Sequence, residues 1–248
     1  MNLTAKGQHM QQRLFLASFL SLGLGLSAAA RPHTPFVEKV VTGERSRQLK
    51  IALDAEMWVL YDMPTAELYL AWKGGATGGT LEDADYWYGK NGHFPHWFKA
   101  AGTEYFRESV GEFFSDWAPA ADIPLYYTKW PKQPLNYKNW TVTADGADVF
   151  AHVANHGYFV QGDTFRLHNG LKLKSGAEID VLETPEYDGS GGKPKLVRKL
   201  SFTGMPAGAE VKLALPKGGN WTVTGKGTLQ GTSLVQTGDG ESIVTGNW

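Results

Sequence analysis

Five of the seven histidines fall into two groups, and imidazole is the side chain best suited to acid–base work or metal ligation near neutral pH. His93 and His96 flank Phe94-Pro95, beside Trp97. His152 and His156 lie in AHVANHG, and His168 follows on the next alternating run. A His-x3-His pair shares one face of a helix and can chelate zinc there. AHVANHG reads as strand and turn instead. Four residues of strand separate two rings by roughly 13 Å, too far for one ion unless a turn at Ala154-Asn155 folds the pair together. No His-Glu-x-x-His pattern occurs. His152, His156 and His168 are therefore alternative acid–base or metal candidates, with a structural or surface role the plainer expectation. No metal and no cofactor are expected.

Glu82, Asp83 and Asp85 form an acidic cluster beside Trp87 in LEDADYW. Such a cluster offers calcium ligation or a general-acid carboxylate. The spacing lacks the glycine and closing glutamate of a helical calcium loop, and a solvated loop is the plainer reading. Glycoside hydrolysis needs two carboxylates at a set separation, and among 25 acidic residues the sequence singles out no pair. Gly74-Gly75 and Gly78-Gly79 lack phosphate-loop spacing, and no Gly-x-Ser-x-Gly nucleophile motif occurs. The binding candidates are aromatic: Trp72 with Lys73, then Trp87, Tyr88, His93, His96 and Trp97 in a glycine-rich stretch. Aromatic faces stack on the apolar faces of sugars, while polar neighbours supply directed hydrogen bonds. Trp58 and Trp72 sit in strands, where inward packing competes with binding. For Trp87, Tyr88 and Trp97, core and binding roles both stand.

The elements that must hold these residues read as strands. IALDAEMWVLYDMPTAELYLAWKGG alternates apolar and polar residues twice around a short break, the period of half-buried strands. FVEKVV precedes it as a first strand, with GERSRQ as a polar turn. Residues 74–102 lose the alternation and are rich in glycine, aromatics and acids. Long irregular segments of this kind in compact domains are usually functional, and this one holds too many aromatics to be disordered. Residues 103–116 have apolar positions at Phe106, Val110, Phe113 and Phe114, a spacing that predicts a short helix. Ile123–Trp130 reads as a strand. From Asn139 onward the alternation is clean, with turns at Gly162-Asp163 and Lys174-Ser175-Gly176. LVRKLSFTG and EVKLALP are joined by the MPAGA turn. The pentapeptide NWTVT occurs at 139–143 and again at 220–224, and is read as two similar strands with Trp and Val inward rather than as a repeated unit.

Thirty glycines and nineteen Trp and Tyr residues between short alternating runs point to an all-β fold. The expectation is an antiparallel β-sandwich, large enough for a super-sandwich, with one long aromatic-rich loop and little helix. The first thirty residues read as a signal peptide: Lys6 and Arg13, an uncharged run from Leu14 to Leu26, then Ser27-Ala28-Ala29-Ala30 for cleavage. Residues 31–248 are then a single β-sandwich domain. Losing Lys6 and Arg13 takes the formal charge from −1 to −3, which argues against a nucleic-acid partner. No later run is long enough for a membrane-spanning helix. The absence of cysteine excludes disulfides, thiol catalysis and cysteine-ligated zinc.

Four segments resemble, in order, the N-terminal β domain of secreted bacterial proteins usually described as c-type cytochromes or membrane-bound dehydrogenases. They are MWVLYD with LYLAWKGG (57–62 and 68–75), GTEYF (102–106), NHGYFVQGDTFRLHNGLKLKSGAEIDVLETPEY (155–187) and LVRKLSFTGMPAGAEVKL (196–213). The resemblance spans most of residues 31–248. It implies a bacterial source, a periplasmic or secreted location and a β-sandwich. It does not carry over electron transfer: with no cysteine there is no Cys-x-x-Cys-His and no covalent heme, and the chain lacks the length for the propeller-type domain. The expectation is an exported non-catalytic module that binds carbohydrate or docks to an extracytoplasmic dehydrogenase or cytochrome. The alternative is a sugar-active enzyme on a mutarotase-like scaffold using His93, His96, His152 or His156 with a carboxylate, which requires two of these histidines and an acid to converge in one cleft.

Overall fold

The computed structural model describes residues 36–42, 45–54, 56–73, 81–83, 98–100, 103–108 and 137–248. These residues are overwhelmingly strand, and no α-helix occurs among them. The fold class is all-β and sandwich-like, as the alternation requires.

In the N-terminal part, β1 (Phe36–Thr42), β2 (Arg45–Asp54), β3 (Met57–Asp62) and β4 (Glu67–Trp72) form an antiparallel meander. β5 (Leu81–Asp83) and β6 (Phe98–Ala100) pair as a two-stranded ribbon, and β7 (Glu104–Arg107) adds to the meander beside β4. Two local expectations are corrected here. GERSRQ is not a turn throughout, because Arg45 onward belongs to β2, where the chain gains ladder bonds to β1 and β3. Glu104–Arg107 is strand rather than the start of a helix. Its backbone completes the β4 edge and its Phe106 is buried, so pairing overrides a weak helical spacing. The rest of that segment and Ile123–Trp130 lie outside the described residues.

β3 and β4 are buried at every position rather than half-buried. Met57, Val59, Tyr61, Leu68 and Ala71 face one cluster, while Trp58, Leu60, Tyr69, Leu70 and Trp72 form another. A strand covered on both faces tolerates an apolar run that a half-exposed strand does not.

The C-terminal part contains β8 (Trp140–Ala144), β9 (Ala147–Asp148), β10 (Phe150–Gln161), β11 (Thr164–Leu173), β12 (Glu178–Asp188) and β13 (Lys195–Thr203). It continues with β14 (Ala209–Ala214), β15 (Asn220–Gly225), β16 (Thr228–Gln230), β17 (Ser233–Gln236) and β18 (Gly240–Asn247). One sheet has the order β10-β11-β12-β13-β18-β15, the other β16-β17-β14-β8-β9. The MPAGA turn thus carries the chain from one layer to the other instead of joining paired strands. The two NWTVT copies fall in different layers, as β8 and β15, and their Trp and Val residues are the less exposed ones in each.

The inner face of the six-stranded sheet packs against both other sheets. Leu171, Ile179, Val181, Leu200 and Phe202 meet Trp140, Val142, Val211 and Leu213 of the smaller sheet. Phe165, Leu167 and Leu196 join the core of the N-terminal meander. Between these two regions lies a buried polar triad. Arg198 on β13 donates through Nε and Nη2 to the Glu183 carboxylate on β12 at 2.6 and 3.0 Å, and the Tyr61 hydroxyl on β3 donates to Glu183 Oε1 at 2.5 Å. All three side chains are almost wholly buried. Burial, then the Glu183 charge, raises Tyr61 well above its ordinary value. Burial opposes the Arg198 charge, but Glu183 and Tyr61 outweigh it and hold the guanidinium above its ordinary value.

Candidate functional site

The outer face of β10, β11 and β12 brings chemistry together in rows set by the strand register. One row is His152, Lys172 and Glu178; the next is Ala154, Gly170 and Asp180; the third is Gly157, His168 and Leu182. Residues two apart on a strand share a face, so His168 and Asp180 are diagonal neighbours on adjacent strands. Their Nε2 and Oδ1 atoms are 3.0 Å apart.

His156 joins them through a break in the ladder. Asn155 pairs with Asn169 and Gly157 with His168, leaving His156 as the extra residue of a β-bulge. Gly157 takes φ +105°, a conformation that glycine adopts readily and other residues rarely do. The bulge sets the His156 ring 4.7 Å from the His168 ring, centroid to centroid. His156 Nε2 then meets Glu178 Oε1 across the backbone of Gly170. A side chain at position 170 would stand in the way: a Cβ there would lie 2.8 Å from His156 Nε2 and would collide with the Glu178 carboxylate. Gly170 is the space through which a residue of β10 reaches a residue of β12.

Four potential ligand side chains, His156, His168, Asp180 and Glu178, thus share one patch, with Lys172 paired to Glu178 at its border. Lys172 first, then His156, hold the Glu178 carboxyl below its ordinary range. One ring nitrogen each of His156 and His168 and an Asp180 oxygen lie within 4.8 Å of one another. The patch is partly open to water: the His156, His168 and Asp180 side chains are 36%, 40% and 56% exposed. Such an arrangement can bind a cation or exchange protons, but it does not exclude water from a reacting centre.

Of the three histidines expected as alternatives, the fold joins His156 and His168. His152 stands at the far row opposite Lys172, outside the cluster. The turn expected within AHVANHG is corrected: β10 runs unbroken in pairing through residue 161 apart from its bulges, so His152 and His156 stay apart as a strand requires. Asp180 and Glu178 went unread in the sequence. The signal was present in the Lys174-Ser175-Gly176 turn, whose short span fixes Lys172 opposite Glu178 and so carries Asp180 to the row beside His168.

No family model, curated protein or solved structure matches this chain. The site therefore stands on its own geometry.

The aromatic candidates divide differently. Trp72 is fully buried, its ring 6.1 Å from that of Trp58, so its face is a packing surface and not an exposed stacking platform. Lys73 is half-exposed and bridges to Glu56 at 2.6 Å, and that hydrogen bond raises it from its ordinary value. Trp87, Tyr88, His93, His96 and Trp97 lie outside the described residues, as does Asp85 of the acidic cluster.

A separate cleft of about 220 Å³ opens beside Glu108, Asn139 and Lys217. Burial there raises the Glu108 carboxyl, while the Lys217 N–H, donating at 3.1 Å, opposes the shift.

Proposed function

We infer that this chain is an exported, non-catalytic β-sheet module that docks to a protein partner outside the cytoplasm, with β10 as its docking edge. The observation that carries this reading is the character of that strand. β10 is twelve residues long, ends its sheet, and is exposed over most of its length. Its sequence FAHVANHGYFVQ contains no Lys, Arg, Asp, Glu or Pro. Exposed edges attract further strands, and proteins usually blunt them with charge, proline or brevity. Among the described residues most other sheet ends are blunted in that way; β15, at the opposite end of the same sheet, is also uncharged but only six residues long. β9 and β16 have two and three residues, while β7 carries Glu104 and Arg107. At the β10 tip, Tyr158, Phe159 and Val160 are 37%, 41% and 42% exposed; Phe159, with Arg166 over its ring, faces the side opposite the other two, so the edge offers apolar surface on both faces, as strand addition uses.

Export rests on the Lys6–Ala30 pattern, and the partner class, an extracytoplasmic dehydrogenase or cytochrome, rests on the four-segment resemblance. The carbohydrate version rests on the aromatic segment at 87–97. Co-purification of the full chain from cells that encode it tests the docking reading. The expected result is one extracytoplasmic partner, retained by the wild-type chain and lost with Phe159→Lys. A partner retained equally by Phe159→Lys, or none at all, overturns β10 docking.

A second reading, His/carboxylate acid–base chemistry on a sugar, is favoured by the convergence of His156, His168 and Asp180. Anomer interconversion followed by polarimetry tests it: a rate that disappears in His168→Ala supports the enzyme, and no rate above background removes it.

A further inference from the structure

We propose that His156, His168 and Asp180 form a binding site for a divalent transition-metal ion of the zinc type, with Glu178 as the fourth side chain within reach. This inference is independent of docking at β10, because it concerns what the chain binds by itself.

The donor set selects the class of ion. Two imidazole nitrogens and a carboxylate suit zinc, copper, nickel and cobalt, whereas calcium and magnesium call for oxygen ligands. The distances suit it too. Zinc binds nitrogen and oxygen at about 2.0–2.2 Å, so tetrahedral ligand atoms lie roughly 3.3–3.5 Å apart. His168 Nε2 and Asp180 Oδ1 are already 3.0 Å apart, and all three donor atoms fall within 4.8 Å. Side-chain rotations of an ångström or so close the remaining gap without moving a strand.

Glu178 now meets His156 at Nε2, so an ion that takes this nitrogen must share or displace that carboxylate. On binding, its carboxylate either becomes a ligand or turns to Lys172, which it already contacts. The balance of charge is favourable, with two carboxylates against one ammonium.

Stability does not account for the arrangement. Exposed ion pairs contribute about 0–1 kcal/mol at most, and both a glycine within a strand and a bulge weaken the ladder. Yet Gly170 and the His156 bulge, on neighbouring strands, are both needed to bring the two rings together over one spot. The three donors also come from three different strands, so the sheet itself fixes their spacing. Coordination by elements this rigid needs little ordering when the ion arrives.

The test uses the full chain, stripped of metal with a chelator and titrated with Zn²⁺ by calorimetry, and with Co²⁺ by absorption spectroscopy. Saturable Zn²⁺ binding is expected, with ligand-field bands of Co²⁺ that report nitrogen coordination. His168→Ala and the isosteric Asp180→Asn should each weaken Zn²⁺ by at least about tenfold, a loss typical even of outer-shell changes at metal sites. His152→Ala, on the same face but outside the cluster, should leave affinity unchanged. Circular dichroism of each variant confirms the β fold. No saturable binding overturns the proposal, as does binding that survives both His168→Ala and Asp180→Asn, or that is lost equally in His152→Ala.

Discussion

Removing one member of the Tyr61–Glu183–Arg198 triad should do far more harm than removing its ion pair together, and the two single deletions should differ. Glu183 and Arg198 are 2% and 1% exposed, and their contact is bidentate. Glu183→Leu leaves a guanidinium buried between two sheets without its bidentate partner, and a guanidinium cannot shed its proton. Breaking a buried pair in this way costs about 3–5 kcal/mol. At roughly 2–4 °C per kcal/mol for a chain of this size, the melting temperature should fall by about 6–20 °C. Arg198→Met leaves a carboxyl that can neutralise by taking up a proton, so its penalty should be smaller and should shrink on acidification. The double variant, Glu183→Leu with Arg198→Met, should be much closer to wild type, because replacing a buried pair with apolar side chains is often neutral. Urea unfolding of all four proteins at pH 5 and pH 8 gives a double-mutant cycle. If Glu183→Leu costs under about 1 kcal/mol, the charge is not desolvated as argued. If the single losses simply add in the double variant, the pair is not coupled and the reasoning fails.

Trp72→Ala should destabilise the fold by about 3–5 kcal/mol, the usual range for truncating a fully buried Trp. A chemical melt that moves by less than about 1 kcal/mol would show that the Trp58–Trp72 cluster is not a packed core. Glu108→Gln should raise the melting temperature at pH 8, because the folded state holds the Glu108 proton more tightly than the unfolded chain does. The wild-type penalty is therefore present above the raised folded value and disappears below the ordinary 4.5. Thermal melts at pH 4 and pH 8 check this, and an equal difference at both would remove the assigned cause.

The longer paired strands of the C-terminal part, β11 to β14 and β18, were legible because each buries one face. In β11 the alternation of Phe165, Leu167 and Leu171 against Arg166, His168 and Lys172 matches the observed burial. The β3 and β4 segments were legible as strands, but their complete burial was not, since the second layer on Trp58 and Trp72 depends on long-range packing. Glu104–Arg107 was misread because four residues beside Leu70–Trp72 gain more from edge pairing than a short run gains from helical spacing. At the candidate site, the histidines were visible as residue types, but their combination was not. Within its own strand the nearest histidine to His156 is His152, where spacing forbids contact. The true partner lies across the ladder, where register decides proximity.

That register is itself produced by two local exceptions. A regular β10 would place His152 and His156 on one face, four residues apart, with no reason for His156 to lean toward β12. The extra residue at His156, released by Gly157 at φ +105°, breaks that regularity. An ordinary side chain at position 170 would then block the crossing, and Gly170 does not. Each glycine alone reads as a weakness in a strand. Together, on paired strands and next to the same histidine, they produce a single consequence: a His/His/Asp/Glu patch that neither could make alone. Natural sequences depart from local rules mostly where function requires it. The chemistry of this chain is therefore best sought where these two departures meet.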